Sequence, residues 1–392
     1  PLFVTAAFTG IVGYSQYLTK QVPPVPYGVL AILQLGILIV LGLDLYRFPV
    51  CEGAAGNSPR PEGLEGELRN LNESGMIDRL LRDLLFRTFT IGSLRFEFLE
   101  GLLAVCITGA GFLLRTPFET GLPHWTYLLA EWYLAVASAV FVRRATKSRR
   151  RALGTYAIMV ILPCLVAEGT ILRGDACLGA LLFVCALLFL KPASGNRCSW
   201  LFTIVTGGLL LWSVRYVGLL FACAVLWQKK RLDIRQLLLL LAAGGARFAY
   251  TYCVWLHAGY TLATFHWPNI YEIVGRETVQ GQLVDPVALV GLFVALGLLV
   301  ILLWLFSQGD TERMEAAAVL RLFLFFGLTA GFLLPYMDQS YGCLYGVLGA
   351  LYVMLAPREF PVGIALQFVV YAGYQEGFRE SSMMPMALFA AL

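Results

Sequence analysis

Charge is scarce in this chain. Asp, Glu, Lys and Arg make up only 14% of the 392 residues, and there are three His. The nine Cys include no Cys-x-x-Cys pair and form no cluster with His. That argues against structural zinc and iron–sulfur ligation. Most sit inside apolar runs (Cys106, Cys164, Cys177, Cys185, Cys223, Cys253, Cys343) and read as small buried hydrophobes. No Walker-type phosphate loop, Gly-x-Ser-x-Gly elbow or His-Glu-x-x-His pair occurs, so the chemistry tied to those motifs is excluded. The short alternating strands of an outer-membrane barrel are missing, and no fixed-period repeat is found. The chain starts at Pro1 without Met and stops inside the apolar run Met383–Leu392, which reads as trimming at both ends. No cleavable signal peptide is identified on such an end.

What is present is apolar. Hydrophobic residues make up 59% of the chain and the mean hydropathy is +0.73. A soluble domain of this size has no way to hide that much apolar surface. Runs able to cross ~30 Å of hydrocarbon recur along the chain. They fall near 2–19, 27–46, 95–115, 125–142, 153–171, 176–191, 199–212, 214–227, 234–256, 287–306, 320–335, 340–356, 360–375 and 383–392. The fold class expected is therefore all-α, a polytopic integral membrane protein of about 12–14 spans. Runs 199–212 and 214–227 are short and meet at Trp212-Ser213-Val214-Arg215-Tyr216. They read as one broken or re-entrant helix pair, and broken helices at membrane depth line cavities because their freed backbone groups need partners.

The pattern divides the chain into a two-span extension (1–46), a loop segment (47–94) and a transmembrane domain (95–392). Within the loop, 47–75 is rich in Gly, Pro, Glu and Asn and reads as flexible. Segment 76–91 gathers Ile77, Leu80, Leu81, Leu84 and Leu85 on one face and is expected to be an interfacial amphipathic helix.

Lys and Arg set the orientation. They cluster at Arg143–Arg151, at Lys229–Arg235, at Lys191 with Arg197, at Arg313 with Arg321, and at Arg358. Alternating the spans puts all five clusters on one side, which the positive-inside rule makes cytoplasmic. The opposite side receives Thr116–His124, Arg173–Asp175, Ser213–Arg215, His257–Asp285, Tyr336–Ser340 and Gln375–Ser382. Nearly all the unusual polar residues are on that side.

Each of these groups has more than one reading. Asp175 follows Gly174 at a helix start, where it serves as an N-cap or as a carboxylate at a cavity rim. Glu168 lies in the last turns of an apolar run and needs a partner or water; Arg173 is the nearest cation in sequence. Arg215, at the bend, is suited to gripping a phosphate or carboxylate bidentately, or to snorkelling or pairing with an acidic loop residue. His266-Trp267-Pro268-Asn269-Ile270-Tyr271 joins aromatic and amide groups. That mixture suits a sugar, or an interfacial aromatic belt. In Leu334–Tyr341, Pro335 ends a helix and Asp338 is placed to cap the next. Glu119 and His124 share the first large outward loop and suit general-base chemistry if they meet.

From about residue 95 onward, the order of these segments resembles the GT-C superfamily of membrane glycosyltransferases, closest to bacterial mannosyltransferase-like members that use a polyprenyl-phosphate sugar. Leu162–Asp175 is similar to the family's segment from a Pro-ended span to an Asp, with Asp175 at the Asp and Glu168 where Asn is usual. Thr206–Arg215 resembles its "GLALxxKxQ" stretch, with Arg215 at the Lys. Pro268-Asn269-Ile270-Tyr271 matches "PNIY", and Leu334–Tyr341 resembles "LPxMHERY". Two departures stand out. Leu122 falls where the family's first-loop catalytic Asp is expected, leaving Glu119 as the nearby acid, and Asp338-Gln339-Ser340 replaces the "HER".

The resemblance implies inverting transfer of a sugar, for instance mannose, from a lipid-phosphate carrier to a glycan, lipid or protein acceptor. The transfer would take place on the extracytoplasmic face of a bacterial inner membrane. It implies acid or base roles for Glu119, Glu168 and Asp175, and donor-phosphate contacts from Arg215 and Arg173. His266, Asn269, Tyr271, Asp338 and Tyr341 would bind sugar or acceptor. The outward carboxylates permit a divalent metal, and no nucleic-acid partner is expected. The competing reading is a non-catalytic flippase or accessory protein for lipid-linked sugars. A secondary transporter ranks below both, because a second broken-helix copy is missing.

Overall fold

The computed structural model describes residues 88–91, 94–115, 125–172, 174–190, 197–257, 267–270, 286–307 and 315–379. The expected spans at 2–19, 27–46 and 383–392, and residues 76–87, lie outside the described residues.

The described chain is helical apart from one short antiparallel hairpin. Strands β1 (Thr88–Ile91) and β2 (Leu94–Glu97) pair in the register Thr88↔Glu97 to Ile91↔Leu94. This corrects the expected amphipathic helix, whose last four residues are strand. Thr88-Phe89-Thr90-Ile91 and Leu94-Arg95-Phe96 are dominated by β-branched and aromatic residues, which favour a pleated strand over a helix. Helix α1 (Phe98–Arg115) therefore begins three residues later than its expected span.

Helices α2 (Trp125–Thr146) and α3 (Arg149–Ile161) pack as an antiparallel pair joined at Lys147, which takes a positive φ of 55°. The expected span 153–171 is not one helix. Pro163 has no N–H to give and disfavours the α conformation before it, so Leu162 is extended, with ψ 120°. A single turn, α4 (Pro163–Val166), then widens into a π-helical turn, Ala167–Leu172. Such wide turns recur at functional sites.

Helix α5 (Ala176–Phe189) returns against α2 and α6 (Arg197–Trp212). The α6–α7 pair is broken where the sequence placed the break. A 3-10 turn at Val214–Tyr216 separates α6 from α7 (Val217–Gln228). Helix α8 (Ile234–His257) packs on both halves and on the turn between them. Helices α9 (Pro286–Ser307), α10 (Ala316–Leu333), α11 (Tyr341–Leu355) and α12 (Phe360–Arg379) complete the described bundle. Helix α11 is its axis, buried along its whole length.

Among the described residues, four segments are long and apolar enough to cross a membrane: Trp125–Thr146, Arg149–Gly169, Ile234–Val254 and Ala316–Leu333. Six other apolar helices are shorter, among them the two halves of the broken pair. Helix α9 turns a row of large apolar side chains outward, including Val290, Phe293, Val294, Ile301 and Trp304.

Glycine brings α7 and α10 into backbone contact. A Cβ on Gly218 would stand 2.7 Å from Gly327 Cα and 3.0 Å from the Phe326 carbonyl oxygen, where neither neighbour can rotate away. Gly218→Ala is expected to destabilise the protein by about 1–3 kcal/mol. Gly245→Ala, with nothing within 4 Å of its Cβ, is expected to be neutral or stabilising by up to ~1 kcal/mol through helix propensity. Thermal unfolding in detergent compares the two.

Candidate functional site

Three chain breaks come together at one end of the bundle. The first is the π turn with Gly174 and Asp175, the second the 3-10 turn at Val214–Tyr216, and the third the segment between α10 and α11. Arg215 joins all three. Its guanidinium donates to Asp175 Oδ1 at 3.2 Å and to Asp338 Oδ2 at 2.8 Å. The pairs are 40 and 123 residues apart in sequence. Of the two readings of Arg215, the structure takes pairing with acidic loop residues, and two of them rather than one.

The caps explain why both carboxylates are available. Asp175 occupies the N-cap position of α5, but its side chain makes no capping bond. Asp338 does not cap α11; Ser340 holds that position. Both side chains go to Arg215, because an unpaired guanidinium among apolar helices costs more than an uncapped helix start. The turn carrying Arg215 is fixed locally, since Ser213 accepts a hydrogen bond from the Arg215 backbone N–H at 3.3 Å.

Glu168 lies behind this cluster and is 1% exposed. Tyr374, on α12, donates its hydroxyl to Glu168 Oε1 at 2.8 Å, and Ser340 bonds the same carboxylate. The Gly174 N–H donates to the Glu168 carbonyl at 2.7 Å. A Cβ on Gly174 would lie 2.1 Å from Glu168 Oε2. Glu168 therefore holds Gly174 through the backbone, its side-chain oxygen fills the space a Cβ there would need, and Asp175 is the next residue. At 1% exposure it supports the turn from below and does not face an incoming acceptor.

A second buried carboxylate, Glu131 of α2, was not singled out in the sequence. It is 3% exposed, and a Cβ on Gly169 would lie 1.7 Å from its Oε1. The signal was there: an acid in the second turn of an apolar span is costly unless engaged. Gly169 and Gly174 thus each leave room for a carboxylate oxygen against the main chain.

The other expected site residues divide. Glu119, Arg173, His266 and Tyr271 lie outside the described residues, as does His124. Asn269 and Tyr341 are described, and both are buried, so neither offers the open sugar-facing surface expected of it. The Tyr341 hydroxyl donates to the Gly327 carbonyl. Trp267 packs against the Tyr341 ring, with centroids 5.4 Å apart, and fills the space over Gly342. The aromatic segment 267–270 thus wedges the start of α11, beside the Asp338 turn. Accessible polar surface remains at Asp175, whose side chain is 49% exposed, against 33% for Asp338 and 25% for Arg215.

Among the described residues, no three His, Cys, Asp or Glu side chains are arranged to hold a metal ion. Of the carboxylates expected to permit one, the described Asp175, Asp338 and Glu168 face Arg215 or Tyr374. Compared with family models, with curated proteins and with solved structures, the chain matches none.

Asp338→Asn is expected to lower stability by about 1–3 kcal/mol, since it weakens the shorter, less exposed bond to Arg215. Asp175→Asn, at the half-exposed pair, is expected to cost about 0–1 kcal/mol. Unfolding midpoints in the reverse order would show that Asp175 is the principal anchor.

Proposed function

We propose that the chain is a polytopic membrane glycosyltransferase of GT-C type, acting on a polyprenyl-phosphate sugar. The observation that carries this reading is the meeting of Asp175, Arg215 and Asp338, three groups from separate segments of the resemblance. The apolar helices support a membrane setting. So does the outward row of large apolar side chains on α9, which is costly in water and ordinary in lipid. The Lys/Arg clusters favour an extracytoplasmic site by the positive-inside rule, and the resemblance to bacterial enzymes supports a bacterial inner membrane.

The chemistry follows from exposure. Asp175 is the accessible carboxylate and takes the proton from the acceptor hydroxyl as that oxygen attacks the sugar's anomeric carbon. The bond from that carbon to the phosphate oxygen breaks, and its electron pair leaves with the phosphate. Arg215 orients Asp175. Glu168 and Tyr374 hold the turn. Exposed Leu172, Leu178, Leu211 and Trp212 flank Asp175 and Arg215 in the chain, which suits a substrate with a polar head and a hydrocarbon tail.

A second reading is a protein that binds or flips lipid-linked sugars without transfer. It is favoured by Arg215, whose terminal nitrogens are already spanned by two carboxylates.

Transfer of radiolabelled sugar from a polyprenyl-phosphate donor tests both readings. Asp175→Asn is expected to lower kcat by about 10²–10³-fold. Arg215→Ala is expected to lower it comparably, through the lost orientation of Asp175. Rates indifferent to both changes remove the site assignment. Donor binding with no transfer by the unaltered protein selects the second reading.

A further inference from the structure

Arg215 is committed to two carboxylates, so a phosphoryl group brought to this site needs another cation. Helix α8 carries one. Arg247 lies about 15 Å below the outer end of that helix, at 1.5 Å per residue. Its height relative to the site follows from two glycine contacts. A Cβ on Gly207 would lie 3.3 Å from Leu239, and one on Gly244 would lie 3.3 Å from Leu220 and 3.5 Å from Leu210. The chain between Leu210 and Leu220 contains the Val214–Tyr216 turn, which itself packs on α8. One helical turn above Gly244 is Arg247, so it stands level with the Arg215 turn. The next turn of α8 touches the third break, where Tyr252 donates its hydroxyl to the Pro335 carbonyl at 3.0 Å.

Arg247 also belongs to the packed face of its helix. Leu237, Leu240, Ala243 and Thr251 are buried along that row, and Arg247 falls between the last two at helical spacing. Arg143, Arg149, Arg215 and Arg321 each meet a carboxylate. Among the described residues Arg247 meets none. Its Nε is buried without a hydrogen-bond partner, and its guanidinium carbon stands 5.7 Å from the Tyr250 ring centroid. Thr251, one turn on and 6% exposed, is a second and independent orphan, for its hydroxyl is also buried without a partner. Arg247 is half-buried and leans on the Tyr250 ring, which leaves its buried Nε and the Thr251 hydroxyl on one helix face without hydrogen-bond partners, and such orphans are costly among apolar helices. A tetrahedral oxyanion answers both, because it accepts the guanidinium fork and a hydroxyl together.

We propose that Arg247 and Thr251 form a phosphoryl-binding subsite beside the Asp175–Arg215 pair. The ligand is a phosphate ester carried on a lipid. This deepens the transferase reading by assigning the donor's phosphate to Arg247, leaving Arg215 to orient Asp175. Binding is measurable whether or not transfer occurs.

The test uses the full chain in nanodiscs of neutral phosphatidylcholine, with affinity for polyprenyl phosphate read by native mass spectrometry. Arg247→Gln is expected to weaken binding about tenfold to a hundredfold, as loss of charge-assisted bonds does. Arg247→Lys keeps charge without the fork and is expected to lose about tenfold. Thr251→Val is expected to lose severalfold while keeping or raising the unfolding midpoint, since it deletes an orphaned hydroxyl. Uncharged polyprenol should bind all variants alike.

Competition identifies the source of the phosphoryl group. Displacement by inorganic phosphate marks a free anion, and displacement by phosphatidylglycerol marks a bulk lipid headgroup. Selective retention of polyprenyl phosphate marks the carrier. The subsite stands in each case if the displaced binding depends on Arg247. It is overturned if Arg247→Gln binds polyprenyl phosphate within twofold of the unaltered protein. Should that variant fail to fold, unaltered affinity in both Arg247→Lys and Thr251→Val overturns it. Arg247-dependent binding without any sugar transfer would keep the subsite and remove the transferase reading; transfer with Arg247-independent binding would do the reverse.

Discussion

One guanidinium shared by two carboxylates organises this end of the bundle. Arg215 lies between Asp175 and Asp338, and each of the three residues occupies a different interruption of an otherwise apolar helical chain. Helix interruptions expose backbone groups that apolar surroundings cannot satisfy, so they are stable only where polar partners gather. The three breaks solve that problem for one another. Ser213 caps the Arg215 turn, Ser340 and Tyr374 bond Glu168, and Glu168 holds Gly174. Folding therefore demands that the breaks meet, and the proposed function makes the same demand.

The arrangement also explains which carboxylate does what. Four acids approach this region, yet they differ in burial from 1% at Glu168 to a half-exposed side chain at Asp175. Glu168 and Glu131 are packed against Gly174 and Gly169, where any larger residue would collide with them. They shape the turn. Asp175, beyond them, is left free of capping duty and open to a ligand. The fixed, buried layer supports an accessible one, which is the arrangement the proposed role of Asp175 needs, a group held in one orientation without being covered.

Much of the frame was legible in the sequence. Apolar run length located most of the described helices to within a few residues, because burial in lipid or in a bundle needs the same runs; the run 153–171 is the exception, divided at Pro163. Trp212–Tyr216 betrayed the broken pair by placing Ser and Arg between two short runs. What was not legible was pairing. Asp175 and Asp338 each had a credible local duty as a cap, and only long-range packing assigns both to Arg215. Tyr374 is 206 residues from Glu168, and nothing local links them. Strand pairing overrode helical periodicity at Thr88–Ile91, where β-branched and aromatic residues outweighed the amphipathic spacing. Glu131 and Arg247 were hidden by their surroundings, since a single charge barely alters the hydropathy of a long apolar run.

The central claim is that these breaks enclose one ligand-binding hollow, with the polar head of a lipid-linked sugar facing Asp175. The most direct measurement is a cryo-electron microscopy map of the protein in lipid nanodiscs with a non-transferable polyprenyl-phosphate sugar analogue. The account predicts the sugar beside Asp175 and the phosphate between the Arg215 turn and α8. A head group seated elsewhere, with the Asp175–Arg215–Asp338 cluster closed and unoccupied, would contradict it.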